Sequence, residues 1–246
     1  MITRHHVALA LICALILCCS GVLYDPLMML LVVAGTLIGA VLPDIQMRRV
    51  PRLSLIRPAW YVAQFSRRVC TPLMCWLYRK ILPGEFQETD KRLTHSLAGV
   101  AGISGILAAL LYAPIAICGG VVLLPATTAF LEGVILGMAL HLVEDLCTRK
   151  GICPFFPFNL VTIAGSIRPC DRTDSRIAYY HIQHVTVLLV LVCLGTRVFL
   201  PWDLSLPISV LGISVCTGLM VALSEINVGS GTAGPISIPL SAAGTL

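Results

Sequence analysis

The sequence predicts an all-α fold, a polytopic membrane helix bundle with about six transmembrane helices and a cytoplasmic interfacial helical segment. Three observations lead there. Hydrophobic residues make up 57% of the 246 residues and charged residues only 12%, about half the charged share of a soluble domain. Mean hydropathy is +0.92. Several apolar runs approach the ~20 residues that cross about 30 Å of hydrocarbon as a helix.

The elements follow in order. The apolar run after MITRHH is long for a secretory signal and lacks a small-residue cleavage site, so it is expected to be the first span, 7–23. Asp25-Pro26 turns the chain into a second span, 27–42, ended by Pro43. A basic loop, 43–92, follows. The remaining spans are expected at 93–117, 128–146, 177–200 and 206–223, with a second basic loop at 147–176. Residues 1–226 thus form one multi-pass domain, and the Gly/Pro-broken tail 227–246 is expected to be disordered.

Charge orients the bundle. With the N-terminus inside, residues 1–6, the two basic loops and the tail hold 16 of the 17 Lys and Arg residues; only Arg197 falls outside. That asymmetry predicts a cell (inner) membrane protein with both termini cytoplasmic. It also makes nucleic acid an unexpected partner, because the positive charge is confined to membrane-flanking loops. Within the long loop, Trp60, Tyr61, Phe65, Trp76 and Tyr78 alternate with Arg67, Arg68, Arg79 and Lys80, interrupted by Pro72. The mixture is too charged to span and reads as an interfacial helix pair on the cytoplasmic leaflet. The eleven cysteines form no C-x-x-C pair and read as small hydrophobes and reduced thiols.

The six histidines share one location. His5, His6, His95, His141, His181 and His184 all fall at cytoplasmic helix ends, where Asp44 and Asp145 join them. In the fourth span Gly133, Gly137, His141 and Asp145 recur every four residues, so one face combines a close-packing stripe with an imidazole and a carboxylate. Gly35 and Gly39 lead down to Asp44 in the same way, and Ala98, Gly99 and Gly102 follow His95. Glu144 and Asp145 sit at a helix C-terminus, where the macrodipole disfavours carboxylates unless a cation compensates. A metal ion would do so, as would Arg149, Lys150 or an arginine of the long loop. Ionisable residues within a membrane helix are functional by default. The expected metal ligands are therefore His6, Asp44, His95, His141 and Asp145, holding a divalent ion, zinc or else manganese.

These residues carry a family resemblance. Residues 1–165 resemble the YdjM-like family of predicted membrane-bound, metal-dependent hydrolases. The matching pieces are His6, LPDIQ at 42–46, LTHSL at 93–97, and HLVEDLCTRKG at 141–151 followed by ICPFFP. The last block is the most specific, through His141, Asp145, Thr148, Gly151 and Pro157. Two positions depart: Gln46 stands where the family has a second acid, and Asp90 where it has a histidine before THS. The ligand order is also distantly similar to zinc-dependent phospholipases C, which implies phosphoester hydrolysis. A cytoplasmic-face site would suit a phospholipid or lipid-linked substrate, attacked by metal-activated water.

Glu144 and Asp90 are the catalytic candidates. Glu144 could be a general base, a ligand, or the partner of Arg149, the pairing being the favoured reading. His95 could instead help to cap its helix with Thr94 or Asp90, and His184 could be a further ligand. His5 and His181 read as solvent-facing. PFFPF, 154–158, reads as an interfacial anchor or a lid. Two other functions compete with hydrolysis: a metal or proton transporter, and a non-catalytic scaffold. Transporters place ionisable groups near the bilayer midplane in repeated halves; here they lie at one face and no repeat is visible.

Overall fold

The computed structural model describes residues 3–19, 25–44, 57–81, 87–171, 173–193 and 202–229. Among them are seven α-helices: α1 (Thr3–Cys18), α2 (Pro26–Gly39), α3 (Arg57–Ile81), α4 (Leu97–Cys118), α5 (Leu124–Leu146), α6 (Arg176–Cys193) and α7 (Trp202–Leu223). Two three-residue strands, β1 (Thr162–Ala164) and β2 (Asn227–Gly229), pair antiparallel with Ile163 opposite Val228. Part of the expected tail, 227–229, is therefore β2; 230–246 lie outside the described residues, as does Gln46.

Five segments are long and apolar enough to cross a membrane: Pro26–Asp44, Leu97–Cys118, Val121–Leu146, Arg176–Cys193 and Leu206–Leu223. Helix α1 falls short of that length, at 16 residues. It lies in the heart of the bundle rather than on its lipid surface, against α2, α5, α6 and α7, and buries His6, Leu9, Ala10, Cys13, Ala14 and Ile16.

The closest helix pair is α2 with α5, and glycine is the reason. A Cβ at Gly35 or Gly39 would run into the carbonyl oxygens of Phe130 and Val134; one at Gly133 or Gly137 would meet those of Val32 and Thr36. Both expected glycine stripes are thus one mutual seam, where backbones approach as only small residues permit. The stripe after His95 works differently. Ser96, not Thr94 or Asp90, caps α4 by accepting from Gly99 N. His95 therefore precedes the helix and has no helical face; Gly99 packs on the Leu93 carbonyl and Gly102 meets Met74 of α3.

Among the described residues the basic loop holds one α-helix rather than a pair. Helix α3 runs through Pro72 without a break. Proline forfeits one backbone bond, but Cys70 before it and Met74 and Cys75 after it are buried in the same core, which carries the helix across. The PFFPF segment is also only partly an anchor. Phe156 is buried with Arg92 over its ring, while Phe155 and Phe158 are exposed, and the Pro154 carbonyl accepts from Leu97 N.

Candidate metal centre

At one end of the bundle, α1 begins, α2 and α5 end, and the chain enters α4. These four places deliver His6, Asp44, His141 with Asp145, and His95. Short ties fix each. Asp44 closes a 3-10 turn, Leu42–Asp44, that continues α2. Thr94 hydroxyl donates to the Pro43 carbonyl at 2.8 Å, which joins the LPD and THS motifs and sets His95 beside Asp44. Thr148 hydroxyl donates to the Asp145 carbonyl at 2.7 Å and so finishes α5. Gly151 sits at φ +60° against the Ile163 carbonyl and Ala164, a backbone and a spacing that no side chain fits. The H-x-x-x-D-x-x-T-x-x-G block thus reads as two polar side chains, a helix stop and a tight turn.

The five expected ligands come together. His6 Nε2 lies 3.2 Å from Asp145 Oδ1, and the Nε2 atoms of His95 and His141 each lie 3.5 Å from Asp145 Oδ2. His95 Nε2 is also 3.5 Å from Asp44 Oδ1. The His6 and His141 rings stack at 3.8 Å. Two overlapping triads, His6–Asp44–His141 and His95–His141–Asp145, each present ligand atoms within 4.8 Å of one another. Thr3, which the sequence reading passed over, donates to Asp44 Oδ2 at 3.2 Å.

The outer nitrogens decide which atom of each ring faces inward. His141 Nδ1 lies 2.8 Å from the Ala40 carbonyl and His95 Nδ1 lies 3.1 Å from that of Lys91. A carbonyl only accepts, so Nδ1 donates and Nε2 is left with a lone pair. His6 Nδ1 lies 2.7 Å from Glu144 Oε2, off the line of a hydrogen bond. All three rings turn Nε2 toward the two aspartates.

This arrangement fits a divalent cation. His6 Nε2 and His141 Nε2 are buried with no hydrogen-bond partner, a costly state for polar atoms. Ligand atoms on one tetrahedral zinc lie roughly 3.3 Å apart, close to the 3.2–3.5 Å separations between imidazole and carboxylate. A donor set of imidazole and carboxylate is one that divalent metal ions accept.

The other candidates go elsewhere. Asp90 is gripped by Arg92, whose Nη2 donates to Oδ2 at 2.7 Å, and it belongs to neither triad. It caps the Lys91–Leu93 turn through Arg92 N at 2.9 Å. Glu144 is buried and faces His6; among the described residues it makes no ion pair with Arg149, which is exposed. His184 Nδ1 donates to the Tyr180 carbonyl at 2.7 Å within its own helix, outside both triads. His5 and His181 are half-buried rather than solvent-facing, with Nδ1 and Nε2 3.1 Å apart. Their sequence signal was only that both stand near helix starts on the same side.

No curated protein matches the chain, and no solved structure does. A family match, however, runs over residues 1–243, well past the 1–165 that carried the motifs and through α6, α7 and the tail. The chain belongs to the YdjM inner membrane protein family.

Proposed function

We propose that the protein is a membrane-bound, metal-dependent hydrolase acting at the cytoplasmic face on a phosphoester, carried by a phospholipid or another lipid-linked substrate. The observation that carries the reading is the convergence of three imidazole Nε2 atoms on two carboxylates at a bundle end, with Nδ1 turned outward in each ring. His6, Asp44, His95, His141 and Asp145 would hold the ion, preferably zinc. When bound, such an ion ionises water near neutral pH and offsets charge developing on a phosphoryl group.

The chain's own residues supply the rest. Ala40 and Lys91 carbonyls hold the protons on Nδ1 of His141 and His95, which keeps Nε2 of each ring available as a lone pair. Glu144 stands behind His6 and orients it, rather than facing the reacting atoms. Asp90, neutralised by Arg92, shapes the turn before His95 and is a positioning residue rather than a base. The expected orientation, with both termini cytoplasmic, puts the centre level with lipid phosphates on the inner leaflet.

Metal content of the purified full chain tests the reading. Wild type is expected to retain about one zinc or more per chain, and His141→Ala and Asp145→Ala to lose it. A wild-type protein without stoichiometric zinc or manganese would sink the hydrolase idea. Release of product from phosphomonoester and phosphodiester lipids follows, and metal flux into proteoliposomes without such release would favour transport.

A further inference from the structure

Helix α3 has two faces with different surroundings. Ala59, Ala63, Ser66, Cys70, Met74 and Tyr78 are buried against the bundle. On the opposite side Tyr61, Phe65, Leu73 and Trp76 are 62%, 55%, 45% and 57% exposed. The same 25 residues contain Arg57, Arg67, Arg68, Arg79 and Lys80 and no acidic residue. The helix is not one of the spanning segments, and it packs directly on the Leu42–Asp44 turn.

We infer that the outward face of α3 is a binding surface for anionic phospholipid, held at headgroup depth beside the Asp44 turn. Two halves of the face argue for this occupant together. Exposed tyrosine, phenylalanine and tryptophan are stable where one end of a ring is apolar and the other wet, which is the headgroup boundary. Arg57, Arg67, Arg68 and Lys80, in a helix with no acidic residue, attract an anionic leaflet, while a zwitterionic one offers them no net charge. Nucleic acid would match the cations and leave the apolar strip in water. Long basic side chains can lie along the apolar strip and reach the phosphates with their ends.

A consequence rests on the hydrolase reading above: lipids gathered by α3 stand next to the candidate centre, so an anionic phospholipid is the substrate class. The binding itself does not need that reading.

The test uses the full chain in nanodiscs of phosphatidylcholine mixed equally with phosphatidylglycerol. Native mass spectrometry reads the ratio of the two lipids retained, and metal content is read on the same samples. Wild type is expected to retain phosphatidylglycerol well above its bulk share. A variant combining Arg67→Gln, Arg68→Gln and Lys80→Gln is expected to lose roughly tenfold of that preference. The corresponding Lys replacements at Arg67 and Arg68 keep it, which separates charge from folding. Arg149→Gln with Lys150→Gln, in the other basic loop, leaves it unchanged. Equal retention of both lipids by wild type, or an equal loss in the two Gln variants, overturns the inference. Lipid preference in a protein that holds no metal leaves the surface standing and removes only the hydrolase reading.

Discussion

His141 uses its two nitrogens differently. Nδ1 donates to the Ala40 carbonyl, and Nε2 points, buried and unpartnered, at Asp145. His6 also turns Nε2 toward Asp145, with Glu144 Oε2 2.7 Å behind its Nδ1 though off the line of a hydrogen bond. A carboxylate behind a ligating imidazole orients the ring and raises its basicity, and losing it costs about 10–100-fold in metal affinity. Glu144→Gln is therefore expected to keep the fold and bind zinc about 10–100-fold more weakly by chelator competition. An unchanged affinity would remove Glu144 from the site. Thr94→Val tests a different link. It would leave the Pro43 carbonyl without its donor at a buried position, at a cost of about 1–3 kcal/mol in thermal unfolding. At this scale the sequence was informative about which side chains meet: the gathering of His6, Asp44, His95, His141 and Asp145 was legible from their common place at helix ends. It was uninformative about Glu144 and Asp90. A carboxylate's neighbour on its own helix, Arg149 for Glu144, is visible in the sequence; a neighbour 138 residues away on α1 is not.

Among elements, the α2–α5 seam sets the geometry of the centre, because the Ala40 carbonyl that orients His141 stands immediately after Gly39. Gly39→Ala would press a methyl group on the Val134 carbonyl and force the two helices apart. A loss of about 1–3 kcal/mol is expected, with weaker zinc binding as the Ala40 carbonyl withdraws. Gly105→Ala is the control: nothing lies within 4 Å of a Cβ there, so stability should be unchanged or slightly higher. Equal effects of the two substitutions would show that the seam plays no special part. Both GxxxG stripes were legible in the sequence, and so was the amphipathic character of α3. The start of α4 was not. Asp90, Thr94 and Ser96 all offer capping oxygens, and only the fold shows that Gly99 N donates to Ser96 Oγ, at 3.0 Å.

Among the described residues the two ends of the molecule carry different elements. The candidate centre, the small β1–β2 sheet and α3 gather at the first, while Gly119 and Val121–Leu124 turn the chain between α4 and α5 at the second. The charge asymmetry predicts which end is cytoplasmic. Single-cysteine variants can check it with a membrane-impermeant thiol reagent added to intact cells. Cys118, exposed at the end of α4, should react, and Cys170, exposed in the loop before α6, should react only after the membrane is opened. The reverse pattern would invert the topology and move the centre to the outer face.

By itself the sequence determined the class of molecule and the order of its apolar helices, and it carried the expectation of which face its basic loops occupy and of five metal ligands. Those properties follow from composition, local periodicity and position along the chain, which packing does not alter. Tertiary structure alone decided the rest: that α1 is a short inner helix, that the two glycine stripes face each other, that Asp90 is tied to Arg92, and that each imidazole turns Nε2 inward. Those properties depend on which backbone carbonyl or side chain another helix brings within about 3 Å, and only the packing of distant segments supplies such a neighbour.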